Sequence, residues 1–584
     1  MDDLGFGLGR AGGHNRAVQG TRHMIAAGHH AATLAGFAVL EAGGNAVDAG
    51  VAAGLALGVV HSDVVNVAGV APILIHLAER GETVTISGLG GWPAATRPEV
   101  FETDYGGHIP EGLLRTVVPA APAAWIAALE RYGSMSFGEV AAAAIRLARE
   151  GFPTHSLLSN YVAKHRDAYA RWPSTAAIYL PQGRPPATGE LFVQSDLAAT
   201  LQHLADEERA AARRGRAAGL RAARDAFYRG DIAAQIVRYH AENGGWLSEA
   251  DLAGFEVGFE PPVRTACGEI ELYTCGAWCQ GPVLAQLLRL VDREHLAALG
   301  HNSPAYIHWL TEAVKLTFAD RERWLGDPRF VDVPLDALLS PGYAALRRRL
   351  IDPDRAAPAM PPPGDPRAMR AETAPGPMAG GAGAGDSPEV SRDTSYVCAV
   401  DRHGNVFSAT PSDVSNDTPV IPGTGLCPSS RGSQSFAARG HASAPAPGKR
   451  PRLTPNPALV RVGDAMMPFG TPGGDVQTQA MAQVLLNLVL FRMDLQSAVD
   501  APRFASYSFP SSFEPHDDHP GLLRLEGRIA DATAGELGRL GHRVERWPDA
   551  TWLAGGVCAI VADRRRGLLL GAADPRRHGS AAGA

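Results

Sequence analysis

Thr394 is the residue of this 584-residue chain whose setting most suggests chemistry. Ahead of it, residues 353–393 change character abruptly. The run PPPGDPRAMRAETAPGPMAGGAGAGDSPEVSRD is rich in Pro, Gly and Ala and nearly lacks large apolar side chains, so a flexible linker that builds no core is expected there. Behind it, TSYVCAV, a turn at Asp401–Asn405 and VFSAT read as strand, hairpin and strand, the first strand opening at Thr394. A hydroxyl therefore stands at a scissile-looking junction. On pattern alone the simpler reading is an exposed linker running into a strand.

Other chemistry-bearing residues carry less. Cys275 and Cys279 are four apart, but no second Cys or His pair stands at zinc spacing, so no metal site and no cofactor are expected. His29 and His30 read as packing or capping residues, and Asp320, Arg321 and Asp327 as structural ion pairs and turns. The Arg- and Ala-rich stretch 206–224 is flanked by acidic residues and reads as a solvated helix face rather than a nucleic-acid patch.

The elements that must position these groups are partly legible. Residues 24–60 read as a helical pair broken at Gly43-Gly44, the second helix Ala- and Gly-rich and tightly buried. ILIHLA and TVTIS flank Glu79-Arg80-Gly81 as a hairpin, and residues 137–150 form an amphipathic helix stopped by Gly151. Lys plus Arg is 54 against 61 Asp plus Glu, a net charge of −7 that argues against a nucleic-acid partner. Six Cys exclude a disulfide scaffold. The longest membrane candidate, Ala49 to Val60, falls short of the roughly 20 residues a bilayer requires. With no apolar signal segment near Met1, a cytoplasmic protein without a membrane partner is expected.

Over residues 22 to the C-terminus the chain resembles the γ-glutamyltransferase family of N-terminal nucleophile hydrolases. The pieces stand in family order: LEAGGNAVDAGVAAGLALGV, FYRGDIA, GGWLSEADLAGFEV, FADRERWLGDPRFVDVP, DTSYVCAVDRHGNVFSAT, APGKRPRLTPNPALV, FGTPGGDVQTQ, DAPRF and GAADPRRHG. The resemblance implies an α+β fold, a four-layer αββα sandwich. It also implies a precursor that cuts itself between Asp393 and Thr394 into a large subunit, 1–393, and a small catalytic subunit, 394–584. Both fragments would stay in one intertwined fold, with a homo-oligomer also open.

Carried onto this sequence, the family pattern makes Thr394 the nucleophile. A threonine hydroxyl needs an adjacent base, and a chain-start threonine supplies its own α-amine, which titrates at about 7.7–8.0. Gly473 and Gly474 match the glycine pair whose N–H groups would stabilise an oxyanion; a plain turn after Pro472 is the alternative. Ser412 falls where the family keeps a hydroxyl that could orient Thr394. Asp413 or Asn416 could fill an asparagine role.

The pattern breaks where glutamate would be recognised. Leu89 stands at the position of the arginine that holds the α-carboxylate, and Leu453 and Thr454 at the paired serines. Ser433 and Gln434 replace the acidic residues. Leucine cannot imitate a bidentate guanidinium. The segment SSRGSQSFAARGHASAPAPGKRP resembles the acylase-type branch, in which Arg431 matches an Arg-Gly pair and could hold a substrate carboxylate or carbonyl. An arginine pairing with a structural carboxylate is the competing reading. The implied activity is hydrolysis or acyl transfer on a small amide or peptide-like substrate: a carboxylated amide, as in oxamate-type amidohydrolases, or a cephalosporin-like side-chain amide. A true γ-glutamyltransferase with a divergent glutamate pocket, and an uncut, non-catalytic binding protein, are the alternatives.

Overall fold

In the computed structural model, which describes residues 16–376 and 393–584, fourteen strands carry the architecture. In chain order they are β1 (Val18–Gly20), β2 (Met24–Ala27), β3 (Ile73–Leu77), β4 (Glu82–Ile86), β5 (Phe259–Glu260), β6 (Val263–Cys267), β7 (Ile270–Thr274), β8 (Val397–Val400), β9 (Val406–Ala409), β10 (Ala458–Val462), β11 (Ala465–Gly470), β12 (Cys558–Asp563), β13 (Leu568–Ala573) and β14 (Ser580–Gly583). They form two antiparallel seven-stranded sheets, ordered β1-β13-β12-β11-β10-β7-β6 and β14-β2-β8-β9-β3-β4-β5. Strands from before and after residue 393 pair within both sheets.

Side chains alternate across each strand, and that period of two builds the layers. In β8, Cys398 and Val400 enter the core between the sheets with Met24, Leu74, Met466 and Ile560. Val397 and Ala399 point the other way, into a helical layer. That layer contains α1 (His30–Glu41), α2 (Ala46–Val60), α3 (Ala121–Tyr132), α4 (Phe137–Glu150), α5 (Ser195–Ala211) and α6 (Arg216–Tyr228). The outer face of the other sheet is covered by α7 (Gly281–Leu290), α8 (Pro304–Trp324) and α9 (Gln477–Val489). The result is the αββα sandwich.

All fifteen residues of α2 are buried, so the apolar run at 49–60 is core. Gly50 lets the helix lie on β9, since a Cβ there would come within 2.0 Å of the Phe407 ring. Its buried Asp48 is satisfied by the capping box with Asn45 and by the Ser134 and Met135 N–H groups.

Three expectations change. The helical pair begins at His30, because Met24–Ala27 is a central strand. The strand after the junction begins at Val397, with Thr394 joined only by a single bridge to Ser412. Residues 353–376 of the expected linker are docked, and those of 377–392 lie outside the described residues. Backbone groups do the docking: the Gly364 N–H donates to Asp320 at 2.8 Å, its carbonyl accepts from Trp324 Nε1 at 2.9 Å, and Pro362 O accepts from Arg347. A segment poor in apolar side chains thus binds through its main chain, which composition does not reveal.

Candidate active site

The β8–β9 hairpin sets the site. Its register, Val397 opposite Ala409, continues beyond the strands to place Thr394 opposite Ser412. Thr394 is buried, with its Oγ1 2.8 Å from Ser412 Oγ. Ser412 Oγ in turn donates to the Asp393 carbonyl oxygen at 3.0 Å and accepts from Arg431 Nη2. One serine hydroxyl therefore touches both the Thr394 hydroxyl and the carbonyl of the Asp393–Thr394 peptide bond. Such an arrangement can pass a proton between them, with the guanidinium holding the serine oxygen in place.

Behind Ser412 the polar chain continues: Arg431 Nη1 to Gln434 Oε1 at 3.3 Å, and Gln434 Nε2 to Thr454 Oγ1 at 3.0 Å. Asp413 Oδ2 lies 3.7 Å from Arg431 Nε, and its carboxylate accepts from Ser429 Oγ, Ser430 Oγ and the Ser430 N–H. Burial pushes the Asp413 carboxyl up against the opposing pull of Arg431. Of the two residues left open by the sequence, Asp413 stands against Arg431 behind Ser412, while Asn416 lines a cavity of about 550 Å³.

Gly473 and Gly474 line that same cavity. Their φ values, +122° and +55°, lie where side chains are strained, so glycine is required by conformation as well as by access. The neighbouring Asp475 is gripped by Arg321 and by Ser512, which donates to it through its N–H and its hydroxyl. Arg321, read from sequence as structural, thus braces the glycine loop. Asp320 pairs with Arg347, and Asp327 with Arg329 and Arg450.

On the other side of the Asp393–Thr394 bond, the Asp393 carboxylate accepts from the Thr394 N–H at 2.9 Å and pairs with Arg577 Nη1 at 2.6 Å. Burial raises its pKa, while Arg577 and the nearby Gly473 N–H favour the charged form. Asp63, Arg577, His61 and Asp393 share a second cavity of about 310 Å³, which has His165 as a common wall with the first. Burial lifts Asp63 to about 7 and, helped by His155 and His29, holds His61 well below its ordinary value, so the imidazole is neutral. Arg577 and Asp63 were missed. Arg577 lies in GAADPRRHG, but nothing in that motif says which of its arginines reaches residue 393.

The positions at which the family pattern breaks gather elsewhere. Leu89 and Leu453 pack together with Val70, Cys275, Trp278 and Cys279 in one apolar cluster. Gln434 and Thr454 bond to each other, and Ser433 is fully buried. His29, as expected, caps α1 through Nδ1. Among the described residues, one group brings potential metal ligands within reach of each other: His308, Glu312 and His542. Lys315 Nζ lies 2.6 Å from Glu312, and His308 Nδ1 and His542 Nε2 bond to each other at 2.9 Å. The ammonium occupies the cation's role there, and the cluster reads as a structural clamp.

The sequence model of the gamma-glutamyltranspeptidase family matches residues 32–584. The acylase ACY 1 proenzyme of Pseudomonas sp. strain SE83 is 32% identical over 97% of this chain and 94% of its own length. The glutathione hydrolase-like YwrD proenzyme of Bacillus subtilis is 30% identical over 97% of this chain and 100% of its own. Among solved structures, the cephalosporin acylase of Bacillus halodurans superposes with a TM-score of 0.82 at 26% identity, covering 100% of this chain and 99% of the other. A family match across almost the whole sequence, on an αββα sandwich, makes this chain a member of the gamma-glutamyltranspeptidase family of autoprocessed N-terminal nucleophile hydrolases.

Proposed function

We propose that this protein is an amide hydrolase, with capacity for acyl transfer, whose nucleophile is Thr394 after self-cleavage at Asp393–Thr394. The observation that carries the reading is the contact of Ser412 Oγ with both Thr394 Oγ1 and Asp393 O, backed by Arg431.

In maturation, Thr394 Oγ attacks the Asp393 carbonyl carbon and its proton leaves through Ser412. The C–N bond breaks as the nitrogen takes a proton, leaving residue 393 as an ester on Thr394. Water hydrolyses that ester to a carboxylic acid at residue 393 and a free α-amine on Thr394. In turnover that amine takes the hydroxyl proton while Oγ attacks a substrate amide and gives it to the departing amine. Water, or a second amine, then receives the acyl group. The N–H groups of Gly473 and Gly474 are the candidate oxyanion donors.

The substrate is an amide whose acyl portion differs from γ-glutamyl. Support comes from Leu89 and Leu453, which fill with apolar packing the corner where a glutamate's charged groups would be held. The acylase names of two relatives agree with a broadened acyl specificity. Arg431 is assigned to positioning Ser412, and Thr454 to the end of the same polar chain, rather than to contact with a substrate carboxylate.

Intact mass and N-terminal sequencing of purified protein test the reading. Two fragments are expected, the smaller beginning at Thr394, and Thr394→Ala should remain a single 61.4 kDa chain without amidase activity. A folded wild-type chain that stays uncut overturns it.

A further inference from the structure

We infer that the cradle around the Asp393 side chain is the acyl-side pocket of the cut enzyme, and that Arg577 recognises a carboxylate on the substrate's acyl group; this rests on Thr394 being the nucleophile. The same hydroxyl is then acylated twice, first by residue 393 and later by substrate. The uncut chain therefore displays one acyl group already seated beside the nucleophile.

That acyl group is anionic, and its charge is met by a built site. The Arg577 side chain is only 6% exposed. Its Nη2 donates to Trp552 O at 2.9 Å, and its guanidinium lies 5.4 Å from the Trp552 ring centre. Gly556 makes room for it, since a Cβ there would come within 2.5 Å of Arg577 Cδ. The remaining face points Nη1 at the Asp393 carboxylate. Three buried atoms of the same cavity, Arg577 Nε, His61 Nε2 and Asp63 Oδ1, have no hydrogen-bond partner among the described residues.

Hydrolysis of the maturation ester removes the covalent link that holds residue 393 against Thr394. A buried guanidinium without an anion is costly, so the cradle then favours another carboxylate. Asp63 is a weak substitute near neutral pH, because burial keeps its pKa at about 7. The geometry also sets a length. In Asp393, two carbons, Cα and Cβ, separate the scissile carbonyl carbon from the carboxylate. The matching substrate is an amide of a four-carbon dicarboxylic acid, R′–NH–CO–CHX–CH2–COO⁻. Hydrolysis gives R′–NH2 and the diacid.

The test uses cut wild-type protein and the p-nitroanilides of malonic, succinic, glutaric and butyric acids. Succinyl is expected to be the best of the series, with kcat/KM about 10–100-fold above the uncharged butyryl anilide, the range of a hydrogen bond to a charged group. In Arg577→Gln the succinyl-to-butyryl ratio should fall to about 1. Arg577→Lys, which keeps the charge but loses the fork, should give an intermediate ratio and serves if the glutamine variant matures poorly. Calorimetry adds a readout independent of turnover: succinate should bind the cut wild type about 10-fold or more tighter than Arg577→Gln, and tighter than butyrate does.

Equal loss on succinyl and butyryl anilides in Arg577→Gln would make Arg577 an oxyanion or maturation group and overturn the inference. So would a cut wild type without succinyl preference or succinate binding. Both outcomes leave the amidase reading standing, which fails separately if wild-type protein is never cut or if Thr394→Ala retains activity.

Discussion

Two corners of this site have gone in opposite directions. Around Ser412, hydroxyls, a guanidinium and a peptide carbonyl converge within hydrogen-bond reach, each group facing the bond between residues 393 and 394. Around Leu89, the positions where the family resemblance would place glutamate-holding groups are closed instead, two leucines packed on Trp278 and two cysteines. The first corner depends on direction and charge, the second on apolar contact. Chemistry constrains geometry to tenths of an ångström, whereas recognition can be dismantled and its space filled by packing.

Substitutions can break that contrast. Ser412→Ala should have the largest effect, slowing both self-cleavage and turnover about 10³-fold, read by fragment formation on a gel and by single-turnover kinetics. A loss confined to one of the two steps would mean that Ser412 does not serve them jointly. Leu89→Arg should cost about 3–4 kcal/mol in a melt of the Thr394→Ala chain, because it drives a charge and a longer side chain into a closely packed apolar cluster. It should not confer γ-glutamyl anilide cleavage; gain of that activity would show the corner to be an open pocket after all.

The cavity beside Asp393 sharpens the comparison through pH. The folded-state pKa of Asp63 is raised from 3.8 to about 7 by burial, so between those values the native chain holds a proton that the unfolded chain has lost. Stability contributed by this group therefore declines as pH rises from about 4 to 7. Asp63→Asn should remove that decline, a difference on the order of 2–4 kcal/mol at pH 7, measured by urea unfolding of the uncut Thr394→Ala chain. The smallest effect is expected at the far end of the polar chain. Thr454→Val should cost about 1 kcal/mol and less than 10-fold in rate, since it removes one neutral hydrogen bond from Gln434.

The corner around Thr394 stands out in the sequence because its signals are local. A hydroxyl residue after a Pro- and Gly-rich run, a hairpin turn at Asp401–Asn405 and a glycine pair need only neighbouring residues to be seen. The helical and sheet layers were legible through the family resemblance and, for helices such as Phe137–Glu150, through periodicity and capping alone. What escaped lies across the chain. Arg577 meets Asp393 over more than 180 positions, and no spacing announces it. For Arg431 the sequence leaves a substrate group and a structural carboxylate both open; the structure sets its guanidinium against Ser412 Oγ, with the Asp413 carboxylate 3.7 Å away. The docking of residues 353–376 was hidden for another reason: main-chain carbonyls and N–H groups are the same in every sequence.

The alternation of strands has a consequence for refolding. Strands from before residue 393 flank later strands in both sheets, as β1 beside β13, β7 beside β10, and β2 between β14 and β8. A cut between Asp393 and Thr394 leaves these seams intact but converts one molecule into two. Recovery after denaturation then becomes a second-order encounter, slower on dilution, whereas the uncut Thr394→Ala chain should recover at a rate independent of concentration. Scission would thus be a one-way ratchet, leaving the native assembly dependent on its kinetic memory of having once been continuous.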